Sequence, residues 1–401
     1  MDVRETVQNI LKRVAEVEGI KNCDITSNLE ALNGDGFLSE FYTGTIQNKD
    51  TGKIENIYIK VTPPRKFEIV EPAFRNEVNF YSKVFPELDR FQKERGVKDP
   101  FGNIPKYFCG SLDKHHEHLA FVNLKAENYV LFDKSQFMDE KHLKVLFDIY
   151  GKFHALSFAF KAQNFEKYNE LIRPVQNIFG VFSTTESLNK RMQENFKSAL
   201  DYVNENSKHN VGKIQPLVDD FDNYKSRGFN YAGKYAAWTH GDCWSNNLMF
   251  KYCSNGELEN IKLVDHQLGR DSTPVHDLSY LFYSGASKTE FDKLDYYLDL
   301  YYQSFSKFAR ELGADPNELL PLEALKSDWK TYGFLGVYLA VMVWEIKFMP
   351  KTLIQEEAAK LDQSEDPLEQ LVELGKKGRS HPSFKRNISD ILIHAAEYGI
   401  I

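Results

Sequence analysis

The residues best suited to chemistry lie in the segment His240-Gly241-Asp242-Cys243-Trp244-Ser245-Asn246-Asn247. Asp242 and Asn247 are five positions apart. That spacing lets one loop aim a carboxylate at an acceptor hydroxyl while an amide oxygen reaches a metal ion. Twenty-three residues after Asp242, the apolar pair Leu263-Val264 closes on Asp265. This places a second carboxylate at the tip of a buried strand, where it can hold magnesium. Taken singly, Asp242 fits a turn residue and Asp265 a strand end or helix cap. Together, in this order, they point to phosphoryl transfer from ATP. Such transfer needs a cradle for phosphates, a cation on the α/β-phosphates, magnesium ligands and an acceptor for the substrate proton. No Gly-x-x-x-x-Gly-Lys-Ser/Thr loop occurs in the chain. The arrangement left to test is the one protein kinases use.

Two upstream segments offer the missing parts. Lys60 lies near the end of Ile57-Tyr58-Ile59-Lys60-Val61. An inward lysine there is costly unless paired, and Glu77 on the next helix can pair with it. An edge-strand lysine facing water fits the same residues about as well. Asn33-Gly34-Asp35-Gly36-Phe37 precedes a hairpin. Its glycines allow backbone N–H groups to approach phosphates, although an ordinary turn before a strand explains them equally.

The elements that must position these groups fall into two sets. Val7, Ile10, Leu11, Val14 and Val17 have helical spacing within residues 1–20. Residues 37–46 and 54–61 read as strands joined by the turn Asn48-Lys49-Asp50-Thr51-Gly52. Glu71 to Pro86 returns to helical spacing, and two further strands, 107–112 and 119–124, flank a polar turn. Beyond Leu124 the pattern is mainly helical, over 142–160, 185–204, 291–312, 322–349 and 389–398. Short strands and loops interrupt it at 236–251 and 260–268, and 360–377 reads as a solvated helix or loop. The expected fold class is α+β, a small β-rich front lobe (1–124) and a larger helical lobe (125–401), joined near Val122-Asn123-Leu124.

Composition sets the outer bounds. A chain of 401 residues with 42% hydrophobic residues exceeds one ordinary core and suits two lobes. Fifty Lys and Arg against 58 Asp and Glu give −8, which argues against a general nucleic-acid-binding surface. Four scattered cysteines without a CxxC pair argue against a disulfide framework or zinc site. The charged N-terminus lacks the apolar run of a signal peptide, and the longest apolar stretch, Gly333 to Trp344, is too short to cross a bilayer. A cytoplasmic location is expected. His115, His116 and His118 show no metal-ligand spacing and read as a solvated hairpin tip. The aromatic runs Tyr280-Leu281-Phe282-Tyr283 and Tyr296 to Phe308 read as helix core or as the lining of a pocket for an apolar alcohol.

Over roughly residues 30 to 350 the chain resembles the ecdysteroid kinase-like family, a choline/aminoglycoside kinase-like branch of the protein-kinase-like superfamily. The resemblance rests on Gly34-Asp35-Gly36-Phe37, Lys60, Phe74-x-x-Glu77-x-x-Phe80-Tyr81 and Leu124-Lys125-Ala126. It continues through Phe153-His154-Ala155-Leu156-Ser157, the His240 to Asn247 segment and Val264-Asp265-His266-Gln267-Leu268-x-Arg270, ending at Pro274-Val275-x-Asp277-Leu278. Trp244 and the Asp-x-Gln after it are the branch-specific features. The resemblance implies a protein-kinase-like bilobal fold, ATP and Mg2+ as cofactors, and a hydroxylated steroid such as an ecdysteroid, or another lipophilic alcohol, as acceptor. It implies Asp242 as catalytic base, Asn247 and Asp265 as magnesium ligands, and Lys60, held by Glu77, on the α/β-phosphates. It further implies Gly34, Asp35, Gly36 and Phe37 over the phosphates, and Phe121, Val122, Asn123 and Leu124 as the hinge against adenine. His240 would brace the loop, and Asp277 would anchor a helix N-terminus.

Two positions depart from the family pattern. Val122-Asn123 stands where an acidic pair is usual, and His266 where phenylalanine is usual. The imidazole either packs in the same place, the favoured reading, or alters the electrostatics at the metal. A choline- or aminoglycoside-type kinase remains a rival, as does a pseudokinase that binds nucleotide or sterol without transfer. Protein-kinase activity lacks an Ala-Pro-Glu segment.

Overall fold

The computed structural model describes residues 3–29, 39–62, 69–113, 116–349, 352–354 and 367–401. Helix α1 (Val3–Val17) buries Val7, Ile10, Leu11 and Val14, four of the five residues whose spacing predicted it. It packs on an antiparallel sheet of order β1-β2-β3-β5-β4, formed by Cys23–Asn28, Glu40–Asn48, Ile54–Val61, Tyr107–Ser111 and His118–Val122 in chain order. The β2–β3 hairpin turns where Asn48 accepts hydrogen bonds from the N–H groups of Asp50 and Thr51, with Gly52 at φ +72°. Strand β1 was not anticipated, because Cys-Asp-Ile-Thr-Ser-Asn has no apolar run and stays half exposed.

The period of two in β3 sorts its side chains. Ile57 and Ile59 face α1 in one core, while Tyr58 and Lys60 take the opposite face. In register, Lys60 stands opposite Phe41 on one side and Leu119 on the other. Tyr58 stacks on Phe41 at 5.3 Å and pairs across the ladder with Phe121.

After the sheet's first hairpin comes α2 (Val70–Asn79), a π-helical turn at Phe80–Val84, and α3 (Phe85–Glu94). The predicted helix to Pro86 therefore runs on for two more turns. Pro86 has no N–H to continue an α-helical ladder, and the wider turn stands immediately before it. The remaining chain is mostly helical. It includes α4 (Glu140–Gln163), α5 (Pro274–Gly285), α6 (Leu294–Glu311) and α7 (Phe334–Lys347). Further helices cover Glu186–Asn206, Leu322–Tyr332, Pro367–Gly378 and Pro382–Tyr398. The expected 322–349 helix is broken at Gly333. Between α4 and α5 lie the short strands Ala237–Thr239, Leu248–Tyr252, Leu258–Leu263 and Arg270–Ser272.

Among the described residues two main hydrophobic cores result, beside two small clusters at Leu124 and Met349. One holds α1 and residues of β2 to β5. The other holds the helical part together with the buried side chains of α2 and α3, including Phe74, Phe80 and Leu88. A β-sheet front and a helical remainder joined in this way are the kinase-like α+β architecture that the sequence led us to expect.

Candidate active site

The loop from His240 to Asn247 connects Ala237–Thr239 to Leu248–Tyr252 and is fixed by backbone contacts from three directions. Asp277, in the first turn of α5, accepts the N–H of His240 at 2.6 Å and of Gly241 at 2.8 Å. His154 of α4 meets the same carboxylate at 3.1 Å, and Tyr301 of α6 meets the other nitrogen of that ring. Burial pushes the Asp277 carboxyl up, but these hydrogen bonds, His154 foremost, pull it below the usual carboxylate range. Asp277 thus serves the loop, while the helix end itself is capped by Thr273, whose hydroxyl accepts from Val275 N–H.

Gly241 is required here. Its φ of +84° suits glycine, and a Cβ would collide with the Leu268 carbonyl. His240 accepts the Asp242 N–H at Nδ1 and reaches the Val264 carbonyl from Nε2 at 3.0 Å. Those roles assign it the neutral tautomer with the proton on Nε2, and burial holds its pKa below the usual value. The ring therefore ties the loop to the segment that carries Asp265.

Asn247 sits in a single 3-10 turn, and its amide nitrogen donates to Asp242 twice: to the backbone carbonyl at 3.0 Å and to Oδ2 at 2.8 Å. Its amide oxygen is thereby turned away from Asp242. Val264 N–H donates to the Asn247 carbonyl, which places Asp265 beside it. Asp265 has φ +66°, a left-handed conformation sparsely used by non-glycine residues.

Lys60 completes the group. Its ammonium lies 2.6 Å from Glu77 of α2 and 2.8 Å from Asp265, with side-chain exposures of 5% for Lys60 and 2% for Glu77. The inward reading of Lys60 is the one the structure shows, and the edge-facing alternative falls. Burial works against its charge, but Asp265 and Glu77 outweigh it and hold the pKa above the ordinary value. Asp242 is pushed up to about 7, first by burial and then by the charge of Asp265. Hydrogen bonds from Tyr280 and Asn247 act in the opposite sense.

His266 is fully buried, stacked on Phe80 with centroids 3.7 Å apart and tilted against His240 at 4.2 Å. The π-helical turn is what brings Phe80 to it. Burial, reinforced by His240, keeps this imidazole well below its usual pKa and therefore neutral. Of the residues expected at the hinge, Phe121 stands across from Tyr58, on the sheet face that carries Lys60, and the N–H groups of Val122 and Asn123 are bonded to the carbonyls of Lys106 and Asn56. The Asn123 side chain accepts from Lys125 N–H, and Leu124 is buried. Gly34, Asp35, Gly36 and Phe37 lie outside the described residues.

One contact escaped the sequence reading. The hydroxyl of Tyr280 donates to Asp242 Oδ1 at 3.2 Å. A signal for it existed: Tyr280 is three positions after Asp277 and so shares its helix face.

A β-sheet that supplies Lys60, a helix that supplies its partner Glu77, and loops that supply Asp242, Asn247 and Asp265 define a kinase-like protein. The model of the ecdysteroid kinase-like family matches residues 33–314, and the chain belongs to that family. No curated protein matches it. Among solved structures, an ethanolamine kinase from Plasmodium vivax is similar over 91% of this chain and 84% of its own, at 11% identity and a TM-score of 0.38. Among the described residues no helix is long and apolar enough to cross a membrane.

Proposed function

We propose that the protein transfers the γ-phosphate of ATP to a hydroxyl of a small lipophilic alcohol, an ecdysteroid-like steroid being the leading class. The observation that carries this reading is the convergence of Lys60, Glu77 and Asp265, within ion-pair distance, on the loop that holds Asp242 and Asn247. Residues 1–124 act as the nucleotide-binding lobe, and 125–401 carry the catalytic loop and the acceptor site. Lys60 is a buried cation whose partners are both carboxylates, so an arriving α/β-phosphate replaces one anion by another. Glu77 keeps the ammonium in place during that exchange. The N–H groups of Val122 and Asn123 are already bonded within the protein, so adenine meets carbonyl groups and the apolar side chains of Phe121 and Leu124.

The donor set fits magnesium. Asn247, with its amide oxygen turned away from Asp242, and Asp265, with its carboxylate, would hold the ion, an oxygen donor pair of the kind magnesium takes. Magnesium, when bound, neutralises charge on the phosphate oxygens. Asp242 orients the acceptor hydroxyl and takes its proton as the oxygen–phosphorus bond forms and the bond to ADP breaks. A carboxyl pushed to about 7 is a stronger base than an ordinary aspartate. The proposed protein works in the cytoplasm on a small-molecule acceptor, with no nucleic-acid partner.

The test is a mass-spectrometric screen for phosphorylated products in a steroid and metabolite mixture with ATP and magnesium. Phosphorylated alcohols that vanish with Asp242→Asn support the reading. ATP binding with no product across the panel would replace it with a pseudokinase, and phosphocholine-type products would move the acceptor class to cationic alcohols.

A further inference from the structure

Asp242 is held at both carboxylate oxygens, and the two holders come from different parts of the fold. Oδ2 receives the amide of Asn247, five residues along the same loop, at 2.8 Å. Oδ1 receives the hydroxyl of Tyr280, on α5, at 3.2 Å. With both oxygens engaged, the carboxylate plane has no free rotation about its last bond.

Helix α5 is well placed to impose that restraint. Its first turn is bonded to the loop backbone through Asp277, and Tyr280 stands on the same face one turn later. The helix is buried over its whole length and lies tightly on α7. A Cβ on Gly336 of α7 would run into Ser279 and the Tyr280 backbone, so glycine there permits the close crossing. The Tyr280 ring is itself buried, and its hydroxyl is directed to Asp242. Burial and the neighbouring Asp242 charge keep that phenol protonated. It therefore acts as a donor and does not compete for the acceptor's proton.

We infer that Tyr280 is a positioning residue for phosphoryl transfer, its hydroxyl locking the rotation of Asp242 so that the carboxylate meets the acceptor hydroxyl in one orientation. The inference rests on the reading of Asp242 as base. In the reaction the acceptor oxygen bonds to the γ-phosphorus, the bond to ADP breaks, the acceptor's proton passes to Asp242, and Tyr280 keeps its own. The last segment that carries the family resemblance ends at Leu278, two residues before this tyrosine.

Tyr280→Phe keeps the ring and removes only the hydroxyl. With ATP, magnesium and a phosphorylatable alcohol, kcat is expected to fall about 10- to 100-fold, the range for a hydrogen bond to a charged group. KM for ATP and the melting temperature should stay at the parent values. An unchanged kcat overturns the inference, and so does a loss that comes with equal damage to KM and melting. A second arm needs no turnover. In protein labelled with 13Cζ-tyrosine, the Tyr280 resonance is identified by its absence in Tyr280→Phe and compared between the parent and Asp242→Ala. It should move when Asp242 is removed; a resonance indifferent to Asp242 overturns the inference. A parent protein inactive on every alcohol sinks the kinase reading instead, and the resonance still decides whether Tyr280 holds Asp242.

Discussion

Lys60 lies 2.8 Å from Asp265, a residue 205 positions further along the chain, and the contact joins the sheet to the mainly helical part. The same ammonium holds Glu77, so one cation serves two carboxylates. Lys60→Met leaves Glu77 buried and uncompensated beside Asp265. The expected loss is about 3–5 kcal/mol of stability, the cost of breaking a buried pair from one side. Adding Glu77→Leu should restore most of the melting temperature. Calorimetric titration with ATP and magnesium should show weakened binding in both variants. Binding restored along with stability would remove Lys60 from the phosphate site.

Asp242→Asn should abolish turnover and make the protein more stable at neutral pH. The folded carboxyl is pushed to about 7, while an unfolded aspartate titrates near 4. Between those values the unfolded chain has released the proton and the folded chain still binds it, so stability falls as pH rises through the window. The asparagine variant has no such term. Its advantage should be absent near pH 4, grow toward pH 7 and reach at most about 4 kcal/mol. Melting curves of the two proteins across this range measure it, and parallel curves would contradict the buried-carboxylate account.

His266→Phe replaces a neutral, buried imidazole by the apolar ring that the family usually carries there. The stacking on Phe80 is retained and two polar nitrogens are removed from an apolar site. A gain of about 1 kcal/mol with turnover intact is expected. If turnover falls while the fold holds, the imidazole contributes to the electrostatics around Asp265 instead.

Lys347 supplies a prediction remote from the chemistry. Its ammonium donates to the Ser284 carbonyl at 2.6 Å and lies 4.1 Å from the centre of the Trp344 ring. Burial holds its pKa down to about 7, against 10.5 for a free lysine. Below 7 the folded protein carries a buried charge. Between 7 and 10.5 the unfolded chain binds the proton and the folded chain does not, so stability rises with pH there. Lys347→Met should therefore stabilise most below pH 7, with the advantage fading toward pH 10.5. Denaturant midpoints at pH 6 and 10 compare the two limits.

The local placement of the loop residues is legible because it rests on near neighbours in the chain. Asp242 and Asn247 lie on one turn, and Asp265 ends a strand that its own two apolar neighbours announce. Lys60 was ambiguous because a strand's period of two cannot say which face is inside; only the pairing with Glu77 decides. The π-helical turn and Tyr280 depend on how helices cross, and a crossing leaves no period in the sequence. Asp277, which the family resemblance puts at a helix N-terminus as an anchor, ties that first turn to the N–H groups of His240 and Gly241, a pairing 37 and 36 positions away that no local pattern announces. Strand β1 was missed because pairing with β2, not apolar spacing, makes it a strand.

The two hydrophobic cores do not divide where the sheet ends. Glu77 rides on a helix whose neighbours belong to the helical core, whereas Lys60 rides on a strand packed against α1. The sheet face that carries Lys60 also carries Leu119 and Phe121, which belong to the helical core, so the sheet is packed into both. The site is therefore the property of neither core alone: its cation is delivered by one and its carboxylates by the other.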